Sequence, residues 1–340
     1  MNNRNQTINR RVFLRRSAGG AGWLAMGGVG LAGAAQKDAN PFAYDLERVS
    51  KTDPKLVRYE QVGRFACPAP GPRRLAVGPQ DYLYIAARNG VSVLDPEGRR
   101  LDQIALGAPA RCVAVAADGT VYAGLRDHVE VFDAKGRRSA AWESPGKKVW
   151  FTGLAVAGKD VFAADAGNRV VLHYDESGKV AGRIGEKSKE RNVPGLIVPS
   201  PYLDVKIGRD GLLRVNNPGR HLVEVYTTNG DLESSWGKPT AAIEGFCGCC
   251  NPVGLALLPD GRYVTCEKGL PRVKIYSPEG AFQSVVAGPE SFPENARAGA
   301  LHDASDGLLG GLDAAVDSQG RIYVLDLVGA DVRVMRAKAG

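Results

Sequence analysis

Histidine is scarce in this sequence, with four residues among 340. The zinc-protease motif His-Glu-x-x-His and the nucleophile motif Gly-x-Ser-x-Gly are both absent. Because these motifs supply the metal ligands and the nucleophile of two common hydrolase classes, the sequence gives no support to either class.

A dense cluster of lysine and arginine is also missing once the first 35 residues are set aside. Those residues hold five arginines and no acidic residue, so without them the formal net charge falls from +7 to +2. Nucleic-acid binding relies on clustered cations that release counterions from phosphates. We therefore expect no nucleic-acid partner.

The first 34 residues have the features of an export signal. Asn9-Arg10-Arg11-Val12-Phe13-Leu14-Arg15 resembles the twin-arginine pattern, and an uncharged stretch that ends in small residues follows it. We predict a twin-arginine (Tat) signal peptide over residues 1–34, a flexible lead-in over 35–55, a folded domain over 56–340 and a periplasmic location. The apolar stretch is rich in glycine and marginal in length for a membrane span. Membrane attachment is expected only through an uncleaved signal.

Glycine and proline are abundant, at 43 and 20 residues, and the glycines recur within a repeat. Short runs that alternate apolar and polar residues predict strands with one buried face. They are followed by four-residue turns at 95–98, 133–136, 175–178, 227–230 and 277–280. Upstream lie six candidate innermost strands, at 75–77, 113–115, 154–156, 203–205, 255–257 and 312–316. Six such units predict an all-β fold, the six-bladed β-propeller.

Two phrases carry a resemblance to a known repeat. Val161-Phe-Ala-Ala-Asp165 and Ile322-Tyr-Val-Leu-Asp326 resemble NHL repeats, the units of certain six-bladed propellers. The resemblance covers residues 56–340 and implies NHL-like blades, but it implies no single activity because this architecture hosts many functions. The sixth unit ends without a fourth strand, and a strand pattern precedes the first unit at 56–65. We therefore predict that this N-terminal strand closes the ring.

All six cysteines are predicted to lie at one end of the propeller. Because the chain reverses at every turn of an antiparallel blade, the loops between blades share an end with the corner after each second strand. Three long loops fall at that end, at 186–200, 237–251 and 288–311. Long loops in a compact domain usually carry function or are disordered. The cysteines at this end are Cys67, Cys112, Cys247, Cys249, Cys250 and Cys266.

The cysteines have several open interpretations. Six thiols in an exported protein can pair into disulfides, and Cys67 and Cys112 are disulfide candidates. A second interpretation is a metal ion or an iron–sulfur cluster held by four thiolates. Adjacent Cys249 and Cys250 also permit a strained, redox-active disulfide, and free structural thiols are the fourth possibility. The four-cysteine cluster comprises Cys247, Cys249, Cys250 and Cys266.

Glu267, His302 and Asp303 are the other candidate binding residues. Glu267 follows a second strand, where an acidic side chain either faces the mouth of the central channel or caps its own turn. Arg272 is its expected ion-pair partner. His302 and Asp303 lie in the third long loop and form the best acid–base or metal-binding pair that the histidines offer.

Two functions follow from this pattern. The first is a binding or scaffold protein that docks a protein partner or a small ligand in the periplasm through its long-loop, cysteine-bearing end. The alternative is a redox protein or enzyme that depends on a metal ion or an iron–sulfur cluster held by the four-cysteine cluster. We favour the first because no catalytic set is assembled in the sequence.

Overall fold

The fold is taken from a computed structural model that describes residues 50–298 and 310–339. The described residues form six antiparallel sheets of four strands each. The predicted signal peptide, His302 and Asp303 lie outside them, as does most of the predicted lead-in. No helix within the described ranges is long and apolar enough to cross a membrane.

The first strand, β1 (Tyr59–Ala66), belongs to the last sheet. Blades one and two contain β2 (Arg74–Val77), β3 (Leu83–Ala87), β4 (Gly90–Leu94), β5 (Arg100–Ala105), β6 (Cys112–Val115), β7 (Val121–Gly124), β8 (Val129–Phe132) and β9 (Arg138–Ala141). Blades three and four contain β10 (Phe151–Ala157), β11 (Asp160–Asp165), β12 (Val170–Tyr174), β13 (Val180–Ile184), β14 (Val205–Ile207), β15 (Leu213–Asn217), β16 (Leu222–Tyr226) and β17 (Leu232–Trp236).

Blade five contains β18 (Gly254–Leu257), β19 (Tyr263–Cys266), β20 (Val273–Tyr276) and β21 (Phe282–Ala287). Blade six contains β22 (Leu312–Val316), β23 (Ile322–Asp326), β24 (Asp331–Ala337) and β1. The short helix α1 (Pro293–Ala298) and three single 3-10 turns (Pro54–Leu56, Pro79–Asp81, Pro289–Ser291) lie outside the sheets.

The six sheets form a closed ring around their innermost strands. These strands contact one another in the order β2, β6, β10, β14, β18 and β22, and β22 contacts β2 again. In blade six, β1 pairs antiparallel with β24, so the N-terminal strand supplies the outermost strand of the last blade. The predicted six-bladed propeller and its closure by an N-terminal strand are both confirmed.

The recurring turns owe their shape to one acidic residue and one glycine. In blade two, Asp133 Oδ1 accepts hydrogen bonds from the backbone N–H groups of Lys135 and Arg137, both at 2.9 Å. Gly136 closes the turn at a φ of 71°, a conformation that side chains disfavour. The residues that recur along the sequence are therefore those that form and close this turn.

The innermost strand of blade four lies two residues later than the pattern indicates. The sequence predicts a strand over 203–205, whereas β14 spans Val205–Ile207. Leu203 and Val205 are both fully buried, so apolarity alone could not locate the start of the strand. The correct register leaves Asp204 just ahead of the strand, where it becomes important for the propeller axis.

Neighbouring blades interlock through an aromatic ring of one blade and a turn glycine of the next. A Cβ atom added at any of these glycines would overlap the ring of its partner, so the ring occupies the space that a side chain would need. Trp236 also packs against Tyr263 and Tyr276, with ring centroids 4.8 and 4.7 Å apart. The interlocked pairs are Phe65 with Gly98, Trp142 with Gly178, and Trp236 with Gly280.

We expect Gly280→Ala to destabilise the propeller more than Gly211→Ala. Both glycines have positive φ, 85° and 77°, so both variants carry the strain of a left-handed side chain, about 1–2 kcal/mol. Only Gly280 faces the Trp236 ring, whereas a Cβ at Gly211 meets no atom within 4 Å. Overpacking should add about 1–3 kcal/mol. Equal losses in urea-unfolding free energy would show that the interlock contributes nothing.

Candidate functional site

Each blade contributes one residue to a ring at the end where the innermost strands begin. Strand register aligns these positions, each of which lies directly before the first apolar residue of the strand core. We call this set the axial ring. Its members are Arg74, Cys112, Gly153, Asp204, Gly254 and Asp313.

The guanidinium of Arg74 connects blade one to blades three, five and six. It donates to Thr152 O at 2.7 Å and to Val253 O at 3.2 Å, and it forms an ion pair with Asp313 at 2.8 Å. Only a group near the axis can reach so many blades. Burial by itself would lower the pKa of Arg74. The carboxylates of Asp204 and Asp313 outweigh this effect and raise the pKa. The axial ring therefore fills this end of the propeller axis with buried side chains, some of which are charged.

Glycine makes the axial ring possible at two positions. A Cβ at Gly153 would lie 2.7 Å from Asp204 Oδ1, and one at Gly254 would lie 3.0 Å from Asp313 Oδ1. Asp204 accepts from Leu255 N at 2.9 Å in the next blade. The ring thus joins blades through carboxylates that fit only beside glycine.

A second buried charge network supports the loop 237–251. Glu267 has no exposed surface, and its carboxylate pairs with Arg272 at 2.7 Å and with Lys274 at 2.8 Å. Lys274 in turn donates to Gly245 O at 2.6 Å, and burial lowers the pKa of Lys274 to about 8. The expected pairing of Glu267 with Arg272 is confirmed.

Glu267 also contacts the cysteine-bearing part of this loop. Its Oε2 atom accepts a 3.4 Å hydrogen bond from Cys247 N. Asn251 holds the loop from the other side, since its side chain donates to Cys247 O at 2.5 Å and accepts from Lys268 N at 2.9 Å. The structure gives Glu267 an internal set of partners, and its role in ligand binding stays a prediction.

The six cysteines are all free thiols in the structure. Cys112 is buried in the axial ring, and Cys67 is partly buried among blades six and one. Burial raises the pKa of each to about 12. Both side chains therefore stay protonated at neutral pH, and a disulfide involving either one stays a prediction.

Cys249 and Cys250 form a close vicinal pair. Their Sγ atoms are 3.2 Å apart, and Cys250 Sγ accepts from Ser200 Oγ at 3.0 Å. Cys250 is buried whereas Cys249 is exposed. Hydrogen bonding to Cys250 is the main reason why the pKa of Cys249 is raised. One thiol of the pair is thus open to solvent and the other is anchored.

Cys266 does not join this pair in a metal-binding arrangement. It is buried, and its side chain packs in the apolar core between blades five and six. Among residues 50–298 and 310–339, no group of three or more His, Cys, Asp or Glu side chains is placed to hold a metal ion. The arrangement therefore does not form the four-thiolate set that zinc and iron–sulfur clusters take.

A recess of about 450 Å³ opens beside the exposed thiol. Its rim is fixed on one side by His221, whose Nε2 lies 2.6 Å from Gly248 O. On the other side the loop pairs with itself, since Phe246 N donates to Lys238 O at 2.9 Å. We call this the cysteine recess. It is lined by His221, Pro239, Thr240, Ala241, Phe246, Cys247, Gly248 and Cys249.

The histidines that the structure describes do not form a catalytic set. His128 contacts Asp127 at 3.0 Å, and His173 contacts Asp160 at 2.7 Å. His221 is bound to the backbone of the cysteine recess. Each of the three lies on a different blade with its own local partner.

Comparisons with known proteins agree on the architecture. No protein-family model matches the chain, and a comparison with curated proteins finds no match. Among solved structures, a streptogramin B lyase is 13% identical with a TM-score of 0.55, over 82% of this chain and 97% of that one. The likeness shows the fold alone.

Two further solved propellers give the same result. Virginiamycin B lyase from Staphylococcus aureus is 13% identical, with a TM-score of 0.55 over 82% of this chain and 100% of that one. The Pan2 WD40 domain of Neurospora crassa is 13% identical, with a TM-score of 0.52 over 83% of this chain and 96% of that one. Propellers of different function thus match this chain about equally well.

Two site features escaped the sequence reasoning. Arg74 lies in an unremarkable Arg-Arg pair, yet it is the centre of the axial ring. The sequence signal that could have identified Arg74 is a charged residue at the same position in three blades, namely Arg74, Asp204 and Asp313. Cys247 and Cys250 also have Cys-x-x-Cys spacing, a typical redox pattern, which deserved separate weight.

Proposed function

We propose that this chain is an exported binding protein that holds a protein partner or a small ligand in the periplasm at the cysteine recess. The observation that carries the proposal is the preformed character of the recess. The buried Glu267 network and Asn251 hold the loop in place, so little conformational entropy is lost when a ligand binds. Rigid concave sites of about this size are typical of ligand pockets.

The wider setting of this proposal comes from the sequence. The twin-arginine pattern at 9–15 supports export of the folded chain across the membrane. The repeat phrases support blades of NHL type. A rigid ring that presents loops at one end is an architecture well suited to docking.

A photo-cross-linking residue at Ala241 tests this function in the full chain expressed in its native host. Ala241 lines the cysteine recess, so we expect a discrete adduct after illumination. The same residue at Glu176, exposed in a turn at the opposite end, is the matched control. Thr240→Arg, which places a large side chain in the recess, should abolish the adduct. Identical adducts from both positions, or an adduct that survives Thr240→Arg, would contradict the proposal.

A second function is favoured by the vicinal thiols. The 3.2 Å contact between Cys249 and Cys250 supports a redox protein in which the pair cycles between dithiol and disulfide. A metal- or cluster-dependent form of this function requires Cys266 to move out of the apolar core between blades five and six and join Cys247, Cys249 and Cys250.

Chemical analysis of protein purified after native export tests the cofactor form of the second function. Metal and sulfide content, an absorption spectrum and a free-thiol count are measured on the same sample. Stoichiometric metal or charge-transfer bands would favour the cofactor form of the second function. Complete disulfide pairing of the four-cysteine cluster without metal would eliminate that form.

A further inference from the structure

The propeller axis contains a cavity at the side of the axial ring that is remote from the cysteine recess. It has a volume of about 280 Å³ and is lined by the innermost strands of all six blades. Arg74, Asp204 and Asp313 precede the lining residues along their strands, so the axial ring closes one end of the cavity. At the other end it meets a wider recess of about 670 Å³, with which it shares Val77, Ile207, Leu257 and Val316. The cavity is thus closed at the axial ring and open at its other end.

One register position around this cavity is alanine in five blades and lysine in one. The residues lie two positions beyond the axial ring, and their second-strand partners show that they are equivalent. The rings on either side are leucine, valine, isoleucine or alanine in every blade. The set comprises Ala76, Ala114, Ala155, Lys206, Ala256 and Ala315.

Among the described residues, Lys206 is the one charged side chain in the wall of this cavity, where partial burial costs its ammonium group part of its hydration. Alanine meets the packing needs of the other five blades. Asp204, the partner of Lys206, has other bonds as well, since it accepts from Leu255 N at 2.9 Å and lies 3.8 Å from Arg74. The pair with buried Asp204 accounts for one hydrogen bond of the Lys206 ammonium group and leaves its other donors to be accounted for.

The ammonium group of Lys206 keeps hydrogen-bonding capacity. It donates to Asp204 Oδ1 at 2.7 Å, the one side-chain partner that the described residues give it. An ammonium has three N–H donors, and the Lys206 side chain is 24% exposed within the cavity wall. A cation with free donors, set among apolar side chains, is complementary to an anion with an apolar body.

We propose that the axial cavity binds a small monocarboxylate, with its apolar chain against the alanine positions and its carboxylate bonded to Lys206. The volume corresponds to about nine water molecules at about 30 Å³ each, which suits a molecule of about ten non-hydrogen atoms. Octanoate has this size and chemistry. The site is separate from the cysteine recess, so it stands or fails independently of the proposed function.

Calorimetric titration of the full chain with three eight-carbon probes tests the proposal without any variant. Octanoate should bind about tenfold more tightly than octanamide, because a hydrogen bond to a charged group is lost in the amide. Octylammonium should not bind. Equal affinities for octanoate and octanamide, or no binding of octanoate, would overturn the proposal.

Variants then assign the binding to Lys206. Lys206→Met should weaken octanoate binding about tenfold and leave octanamide binding unchanged, whereas Lys159→Met, which removes an exposed lysine that pairs with Glu176, should change neither. Ala76→Leu keeps every charge and fills the cavity, so it should abolish binding of both probes even if Lys206→Met does not fold. Octanoate affinity that survives Ala76→Leu would place the binding elsewhere and overturn the proposal.

Discussion

Arg74→Met is expected to lower the free energy of unfolding by about 3–5 kcal/mol, a large part of the stability of an ordinary domain. The variant keeps an apolar side chain but leaves the buried carboxylate of Asp313 without its 2.8 Å partner. It also removes the donors that reach Thr152 O and Val253 O in other blades. Urea unfolding followed by tryptophan fluorescence measures the loss.

Arg99→Met is the matched control for this result. Arg99 pairs with Asp95 at 2.5 Å, but its side chain is 79% exposed, so the variant should lose far less stability than Arg74→Met. Adding Asp313→Asn to Arg74→Met should recover part of the loss, because the uncompensated charge is then gone. If Arg74→Met were no more damaging than Arg99→Met, the axial ring would not be what holds the blades together.

Glu267→Gln is expected to have the second large effect, about 3–5 kcal/mol, because it leaves two buried cations without their counterion. Arg272 and Lys274 share this carboxylate at 2.7 and 2.8 Å. Lys274 also holds the backbone at Gly245, so the loop 237–251 should loosen. Urea unfolding measures the first effect, and the rate of Cys247 modification by a maleimide measures the second.

Glu244→Gln gives the control in the same loop. Glu244 pairs with Lys238 at 3.2 Å, and both side chains are about half exposed, so a loss below about 1 kcal/mol is expected. The rate of Cys247 modification should not change in this variant. A faster rate in both variants would mean that the loop is held by surface contacts and not by the buried network.

The architecture was predictable because it rests on local chemistry that the sequence repeats. Glycine-ended turns such as Asp133–Gly136 recur in successive units, and each turn is closed by contacts within its own few residues. The closing strand was predictable by counting, since blade six lacked a fourth strand and the strand pattern at 56–65 had no blade of its own. The structure adds the pairing of β1 with β24.

The axial ring was not predictable in the same way, because it depends on contacts between distant residues. Arg74 and Asp313 are 239 positions apart, and only ring closure brings them together. In blade four, the misplaced strand start hid the equivalence of Asp204 with these two residues. Once the register is known, the same alignment of innermost strands shows Lys206 at the position where the other five blades have alanine.

The cysteine end was predictable in outline, but its internal geometry was not. Sequence placed Cys266 beside the loop that carries Cys249, and Val253 N does donate to Cys266 O at 2.8 Å. Strand pairing cannot tell where a side chain points, and the Cys266 side chain packs in the apolar core between blades five and six. Likewise, whether Glu267 faces a ligand or two buried cations depends on side chains from three chain segments.

Maleimide labelling of Cys249, quantified by mass spectrometry, tests the cysteine recess most directly. The full chain is labelled in cells of the native host, and again after purification, with denaturation and reduction applied as separate steps. If the recess holds a partner or ligand, Cys249 should be protected in cells until denaturation and reactive in the purified protein, while buried Cys112 is protected in both. Equal labelling of Cys249 in cells and after purification would contradict the proposed binding function.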